Sequence, residues 1–154
     1  MSSIIEPLMT IRRASLADAP RLAVLSGVLG YPVASDVLAQ RLSRLLARAE
    51  HVVLLAEVPP AHIVGWLHGA EQELMEYGRR CEILGLVVDA EHRRHGVGRR
   101  LVTAVEEWAL QRGLGVMTVR SNVVRPESHP FYEGLGYVHI KTQHAYQKQL
   151  GTSG

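Results

Sequence analysis

Residues 93–98, Arg-Arg-His-Gly-Val-Gly, are of the types and spacing that handle an anion. Two glycines, Gly96 and Gly98, let a backbone approach a ligand with no Cβ in the way. An amphipathic helix is predicted to begin at about Gly98. The first N–H groups of a helix have no internal partner and stand at the positive end of its dipole. Such a start suits a phosphate. Arg93, Arg94, Arg99 and Arg100 add charge and bidentate donors. The dinucleotide pattern G-x-G-x-x-G fails, because position 101 is Leu, and G-x-x-x-x-G-K-[ST] is absent. What stands is R-x-x-G-x-G after an apolar run. The bland alternative is a glycine turn that merely starts a helix.

The elements that must position this loop can be read in order. Met9–Arg13 reads as a strand. Ser15, with Asp18 three residues on, reads as a helix N-cap. That helix carries Leu22, Val24 and Leu25 and stops near Gly27–Gly30. Ser35 is expected to cap a second helix with a stripe at Leu38, Leu42, Leu45, Leu46 and Ala49. Its arginines, Arg41, Arg44 and Arg48, lie off the stripe and read as a solvated face. His51–Glu57 and Ile63–Glu73 read as a hairpin around Pro59-Pro60, and Ile83–Val88 as the buried strand before the loop. The helix after the loop carries Leu101, Val102, Val105, Trp108 and Ala109 on one face, with Gly113 as its C′ residue. Val116–Ser121 follows as a strand parallel to Ile83–Val88, by a right-handed crossover. Pro130–Leu135 reads as a short helix stopped by Gly136. Tyr137–Leu150 reads as a closing strand pair.

The order βααβββαβαββ, the R-x-x-G-x-G loop and a second element resemble the GNAT superfamily of N-acetyltransferases. The second element is Asn122 followed by Phe131-Tyr132-Glu133-Gly134-Leu135-Gly136-Tyr137, similar to N-x(n)-F-Y-x-x-x-G-[FY]. The resemblance implies one domain over 1–154 in the α/β (α+β) class. Its sheet would be mixed and mostly antiparallel with a central parallel pair, and helices would cover both faces. It also implies acetyl-CoA as acyl donor and no metal. The pyrophosphate would lie on Arg93, Arg94, His95, Gly96, Val97, Gly98 and Arg99. The pantetheine arm would add like a strand along the backbones of Leu86 and Val88, and Asn122 would bond to it. Asn122 could instead make an Asx-turn. Gly85 hints at a bulge that would free a backbone N–H near Leu86 for the thioester oxygen.

Acetyl transfer to an amine needs a base and a proton donor. Glu82, eleven residues before Arg93, sits where some members of the family carry a catalytic glutamate. A free Glu titrates near ~4.3 and an alkyl amine near ~10.4, so Glu82 would need burial or a water. A surface-facing strand residue is the competing reading. His68 and His129 are alternative bases. Tyr132 matches the family's general acid, against a plain core aromatic. His92-x-x-His95 lacks a third metal ligand, and Cys81 lacks an evident His partner and reads as an inert thiol.

Composition bounds the rest. The chain has 154 residues, 47% apolar, which is enough for one core. A net charge of +2 and 5% aromatic residues argue against a nucleic-acid surface. No apolar run reaches membrane-span length, and no signal-peptide pattern opens the chain. The one cysteine excludes an internal disulfide framework. A cytoplasmic protein is expected, and a homodimer stays open. The expected activity is direct acetyl transfer in a ternary complex. Glu71, Glu73 and Glu76 point toward a small cationic acceptor. A protein N-terminus or lysine, a non-catalytic acyl-CoA sensor, and a nucleotide-binding module on the arginine patch are the rivals.

Overall fold

A computed structural model describes residues 8–28, 30–121 and 128–152. They divide into two compact units, Met1–Arg120 and Ser121–Gly154. The first unit holds β1 (Thr10–Arg13), α1 (Ala19–Val28), α2 (Ser35–Leu46), β2 (His51–Val58), β3 (His62–Leu74), β4 (Gly78–Val88), α3 (Val97–Gln111) and β5 (Met117–Val119). The sheet runs β1-β2-β3-β4-β5, antiparallel except for the parallel β4–β5 pair. This is the mixed α/β architecture that the sequence led us to expect.

Period-2 alternation sorts the sheet into two faces. Val53, Leu55 and Val87 join Leu22, Leu25 and Leu42 in a core beneath α1 and α2, with Trp66 packed against it. The opposite face receives α3. There, a Cβ on Gly65 would stand 2.9 Å from the Val87 carbonyl and 3.0 Å from Val97. The absent side chain lets the first turn of α3 seat on β3, which fixes the loop before it. Gly65→Val should therefore lower stability by about 1–3 kcal/mol through overpacking, read as a lower urea midpoint with an unchanged slope.

Capping follows the sequence closely. The Asp18 carboxylate accepts from the Ser15 N–H at 2.8 Å and takes both Arg12 Nη donors at 2.9 and 3.0 Å. It caps a short 3₁₀ turn, Leu16–Asp18, that leads into α1. The Arg12 hydrogen bonds hold the Asp18 carboxyl below its ordinary range. Its stabilisation is complete above the unfolded carboxyl pKa of ~3.9 and is lost as pH falls through the lower folded value. Asp18→Asn should cost about 1–3 kcal/mol at pH 7. The cost should shrink toward pH 2, as denaturant curves at the two pH values would show. At the far end of α3, Gly113 (φ +79°) donates to Leu110 O and Leu114 donates to Ala109 O, the Schellman pattern expected at Gly113.

Three expectations need correction. Ser35 is the first residue of α2, and extended Ala34 stands at the N-cap. The parallel pair is shorter than expected: Cys81, Glu82 and Ile83 face Met117, Thr118 and Val119, and the described ladder ends there. Just beyond, His68 opposes Gly85 while Gly69 opposes Ile83, so Leu84 is an extra residue on β4. A bulge bends its strand and sharpens its twist, which turns β4 away from β5. The third concerns the second unit. Its helix, α4, spans Ser128–Gly134, and no strand forms in residues 137–152. Val138, Ile140, Tyr146 and Leu150 are exposed. Strand-forming residue types pack only against a pleated partner surface, and this segment has no ladder.

Candidate active site

The loop between β4 and α3 adopts two left-handed residues, Arg94 (φ 68°) and Gly96 (φ 80°). Gly96 is the N-cap of α3, and its carbonyl takes the first helical bond, from the Arg100 N–H at 3.0 Å. Val97 and Gly98 fall in the first turn, where N–H groups have no partner inside the helix. Arg93, Arg94 and Arg99 are exposed around this start, His95 is half-buried, and Val97 is anchored in the core. Asp89 fastens the upstream end. It accepts from the Glu91 N–H at 3.3 Å and lies 3.4 Å from Arg21 of α1, whose Nε donates to Ile63 O.

Beside the loop runs the segment of β4 that β5 does not pair. The Asp89 N–H donates to Val64 O on β3. By alternation, the backbone groups of Val87 also face β3, and those of Leu86 and Val88 face the other way. Among the described residues no strand meets Leu84–Val88 on that side. The edge exposes donors and acceptors at β-strand spacing and leads directly to the helix start. The bulge expected from Gly85 is present next to it, at Leu84. Gly85 itself lies under Trp66, whose ring would be 2.9 Å from any Cβ there.

Glu82 projects from β4 on the α1–α2 side of the sheet. Its side chain is only 13% exposed, so it is not a surface residue. The Thr118 hydroxyl stands 3.4 Å from its Oε1, and Arg120 Nε is 4.0 Å from Oε2. On the same face, His68 Nε2 lies 2.9 Å from His51 Nδ1. Burial, then the neighbouring His51, pushes His68 down to about 4. The unfolded imidazole, near ~6.5, binds a proton first, so this pair loses stability as pH falls from ~6.5 toward its folded value. Melting temperatures should drop over that window in the wild type and less in His68→Gln.

Tyr132 lies on α4 of the second unit. Its ring meets Phe131 at 5.0 Å and Tyr137 at 5.8 Å, both near edge-to-face. Burial raises its phenol pKa, so the hydroxyl stays protonated at neutral pH. His129 precedes it on the same helix. Asn122 lies outside the described residues.

A strand edge opened by a bulge, followed by a basic glycine helix start, is the geometry the family resemblance predicts. The model of the acetyltransferase (GNAT) family matches residues 26–137. The chain belongs to the GNAT family. It is an acetyltransferase by that membership. It is 30% identical over 132 residues to an aminoglycoside N(6')-acetyltransferase type 1 of Stenotrophomonas maltophilia, covering 83% of this chain and 85% of that protein. It is also 30% identical over 108 residues to the acetyl transferase GW6a of Oryza sativa subsp. japonica. That match covers 62% of this chain and spans only 26% of the rice protein. Among solved structures, aminoglycoside 6'-N-acetyltransferase AAC(6')-Ih from Acinetobacter baumannii has the same fold. Its TM-score is 0.81 at 24% identity, over 93% of this chain and 99% of that one. Aminoglycoside N-acetyltransferase AAC(6')-Iy in complex with CoA gives 0.82 at 18% identity, over 92% and 95%.

Within this GNAT domain several polar groups are committed elsewhere. Cys81 is fully buried, and burial pushes its thiol up to about 11, so no thiolate nucleophile stands there. Glu71, counted from sequence toward a cationic acceptor site, is clamped by Arg79 at 2.8 Å and Arg112 at 2.9 Å. Its charge is spent on those two arginines. His92 and His95 form an edge-to-face pair, and His92 Nδ1 is 3.6 Å from Asp89. Among the described residues no three His, Cys, Asp or Glu side chains are placed to hold a metal ion. Sequence reasoning missed His51 and the seat of Trp66 on Gly85. The signal was the hairpin register, which sets Val53 opposite His68 and His51 opposite Ala70.

Proposed function

We propose that this GNAT protein transfers the acetyl group of acetyl-CoA to a primary amine of a small cationic acceptor, by direct attack in a ternary complex. The observation that carries the reading is the β4 edge at Leu84–Val88, which no strand pairs among the described residues, running into the Gly96 helix start. An amide-rich pantetheine arm can add to that edge as a strand through Leu86 and Val88. The diphosphate would then meet the backbone amides of residues 94–99 with Arg93, Arg94 and Arg99 around it. Asn122 is assigned to the arm by motif alone. The bulge frees backbone N–H donors near Leu86 for the thioester oxygen.

Glu82 is the proposed base, through a water where needed, and Tyr132 the proposed donor to the departing thiolate. Direct transfer is favoured because the one cysteine is buried and protonated. The small cationic acceptor rests on the Stenotrophomonas relative, which is named for aminoglycosides. Incubation with acetyl-CoA and a panel of aminoglycosides, polyamines and peptide amines, read as free thiol release, tests the reading. Saturable acetyl-CoA binding with no thiol release from any amine would favour a sensor. Preferential binding of ATP or an oligonucleotide would favour a nucleotide-binding module.

Tyr132→Phe should lower kcat by about a hundredfold or less, because a thiolate near ~8.5 leaves tolerably on its own. Acetyl-CoA affinity should hardly change. An unaltered single-turnover rate would make Tyr132 a packing residue only.

A further inference from the structure

Residues 138–150 carry a period-2 pattern that no described ladder uses. Val138, Ile140, Thr142, Tyr146 and Leu150 fall on even positions, broken by His144 and Lys148. The odd positions are polar apart from Ala145. This is the pattern of one long, half-buried strand. The segment contains no helix, turn or bend, so it does not fold back as a hairpin. It leaves α4 from a fixed point. The Tyr137 N–H donates to Tyr132 O at 3.1 Å, and the two rings meet at 5.8 Å. Beyond Tyr137 every residue to Leu150 is exposed, Ile140 by 75% and Tyr146 by 92%. Among the described residues its side-chain contacts are local. His139 Nε2 lies 3.1 Å from Thr142 Oγ1, and the His144 ring lies 6.4 Å from that of Tyr146. A lone strand has no stability of its own in water, because nothing offsets the entropy of ordering it.

The sheet offers a matching edge. Among the described residues β5 is its last strand. The Cys81 N–H donates to Val116 O, so Val116 and Thr118 turn their backbone groups to β4, and Met117 and Val119 turn theirs outward. Met117, Thr118 and Val119 are uncharged and half-buried, the kind of edge that accepts another strand. At the other end of the sheet, β1 carries Arg12 and Arg13, and charge guards an edge against pairing. We propose that the 138–150 arm of each copy adds as a strand to the β5 edge of a second copy, giving a dimer by exchange of arms. Each copy holds one arm and one edge of this kind. Reciprocal exchange satisfies both and closes about a two-fold axis. An unrelated partner on the arm would leave the β5 edge open. β5 spans three residues, so it anchors the contact and the rest of the arm lies along the second copy. The even face of the arm is then covered and the odd, polar face stays in water. Because Tyr137 packs on Tyr132, the exchange also braces α4 from outside its own chain. It stands apart from the acetyltransferase reading.

Sedimentation velocity of the full chain should show a dimer at micromolar concentration. Ile140→Asp puts a charge on the face that pairing buries. It should raise the dimer dissociation constant by about a hundredfold or more. Gln147→Glu adds a charge on the opposite face and should change that constant by less than about threefold. Both variants should keep the wild-type circular dichroism. Dimers mixed from one isotope-labelled and one unlabelled wild-type copy show which copy supplies the strand. Filtered nuclear Overhauser contacts between Val119 and the arm that cross the label boundary support the exchange. Contacts confined to one copy mean that the arm pairs with its own β5, and overturn it. A monomer at every concentration, or an equal response of the dimer to Ile140→Asp and Gln147→Glu, also overturns it. Should Ile140→Asp fold poorly, the labelled wild type decides alone.

Discussion

Gly96→Val is expected to raise the dissociation constant for acetyl-CoA by at least about a hundredfold, or ~2.7 kcal/mol. Gly96 sits at φ 80°, where a β-branched residue is strained. It is also the N-cap of α3, where the diphosphate needs bare backbone. Two effects therefore act together: the loop relaxes away from the left-handed turn, and a side chain enters the phosphate cradle. Gly96→Asn separates them, because Asn tolerates the left-handed region but still carries a Cβ. Calorimetry should show an intermediate loss for Asn and collapse for Val, with helical circular dichroism retained in both. Unchanged affinity in a folded Gly96→Val protein would remove the phosphate from this loop.

Glu82→Gln should lower kcat by about a hundredfold or more while leaving acetyl-CoA affinity nearly unchanged. The amide keeps the shape and the contact with the Thr118 hydroxyl but cannot take a proton. The deficit should be largest at low pH, where the amine is most fully protonated, and should narrow as pH approaches the amine's own pKa near ~10.4. A pH–rate profile that is merely scaled down would move proton abstraction to bulk water or to a histidine.

The sequence carried the loop, the helix stops and the strand order because each has a local cause. Gly96 and Gly113 take left-handed backbone, and Asp18 reaches back to Ser15. The end of the β4–β5 ladder was less legible. Gly85 hinted at a bulge, but where pairing stops depends on how far the bent strand diverges, which no local pattern encodes. Glu71 was misjudged because its partners, Arg79 and Arg112, come from a facing strand and the end of α3. His51 was silent as the first residue of a strand and gained meaning only opposite β3. The closing strand pair failed for the converse reason: alternation is necessary for an edge strand, but a ladder to join is what makes one.

The central claim is that acetyl-CoA lies along β4, its arm paired with Leu86 and Val88 and its diphosphate at the start of α3. Residue-resolved amide exchange, with and without saturating acetyl-CoA, tests it most directly. The account predicts slowed exchange at the Leu86 and Val88 amides and at residues 94–99, with ATP protecting the loop alone. Protection confined to other elements, or none along β4 at saturation, would contradict it.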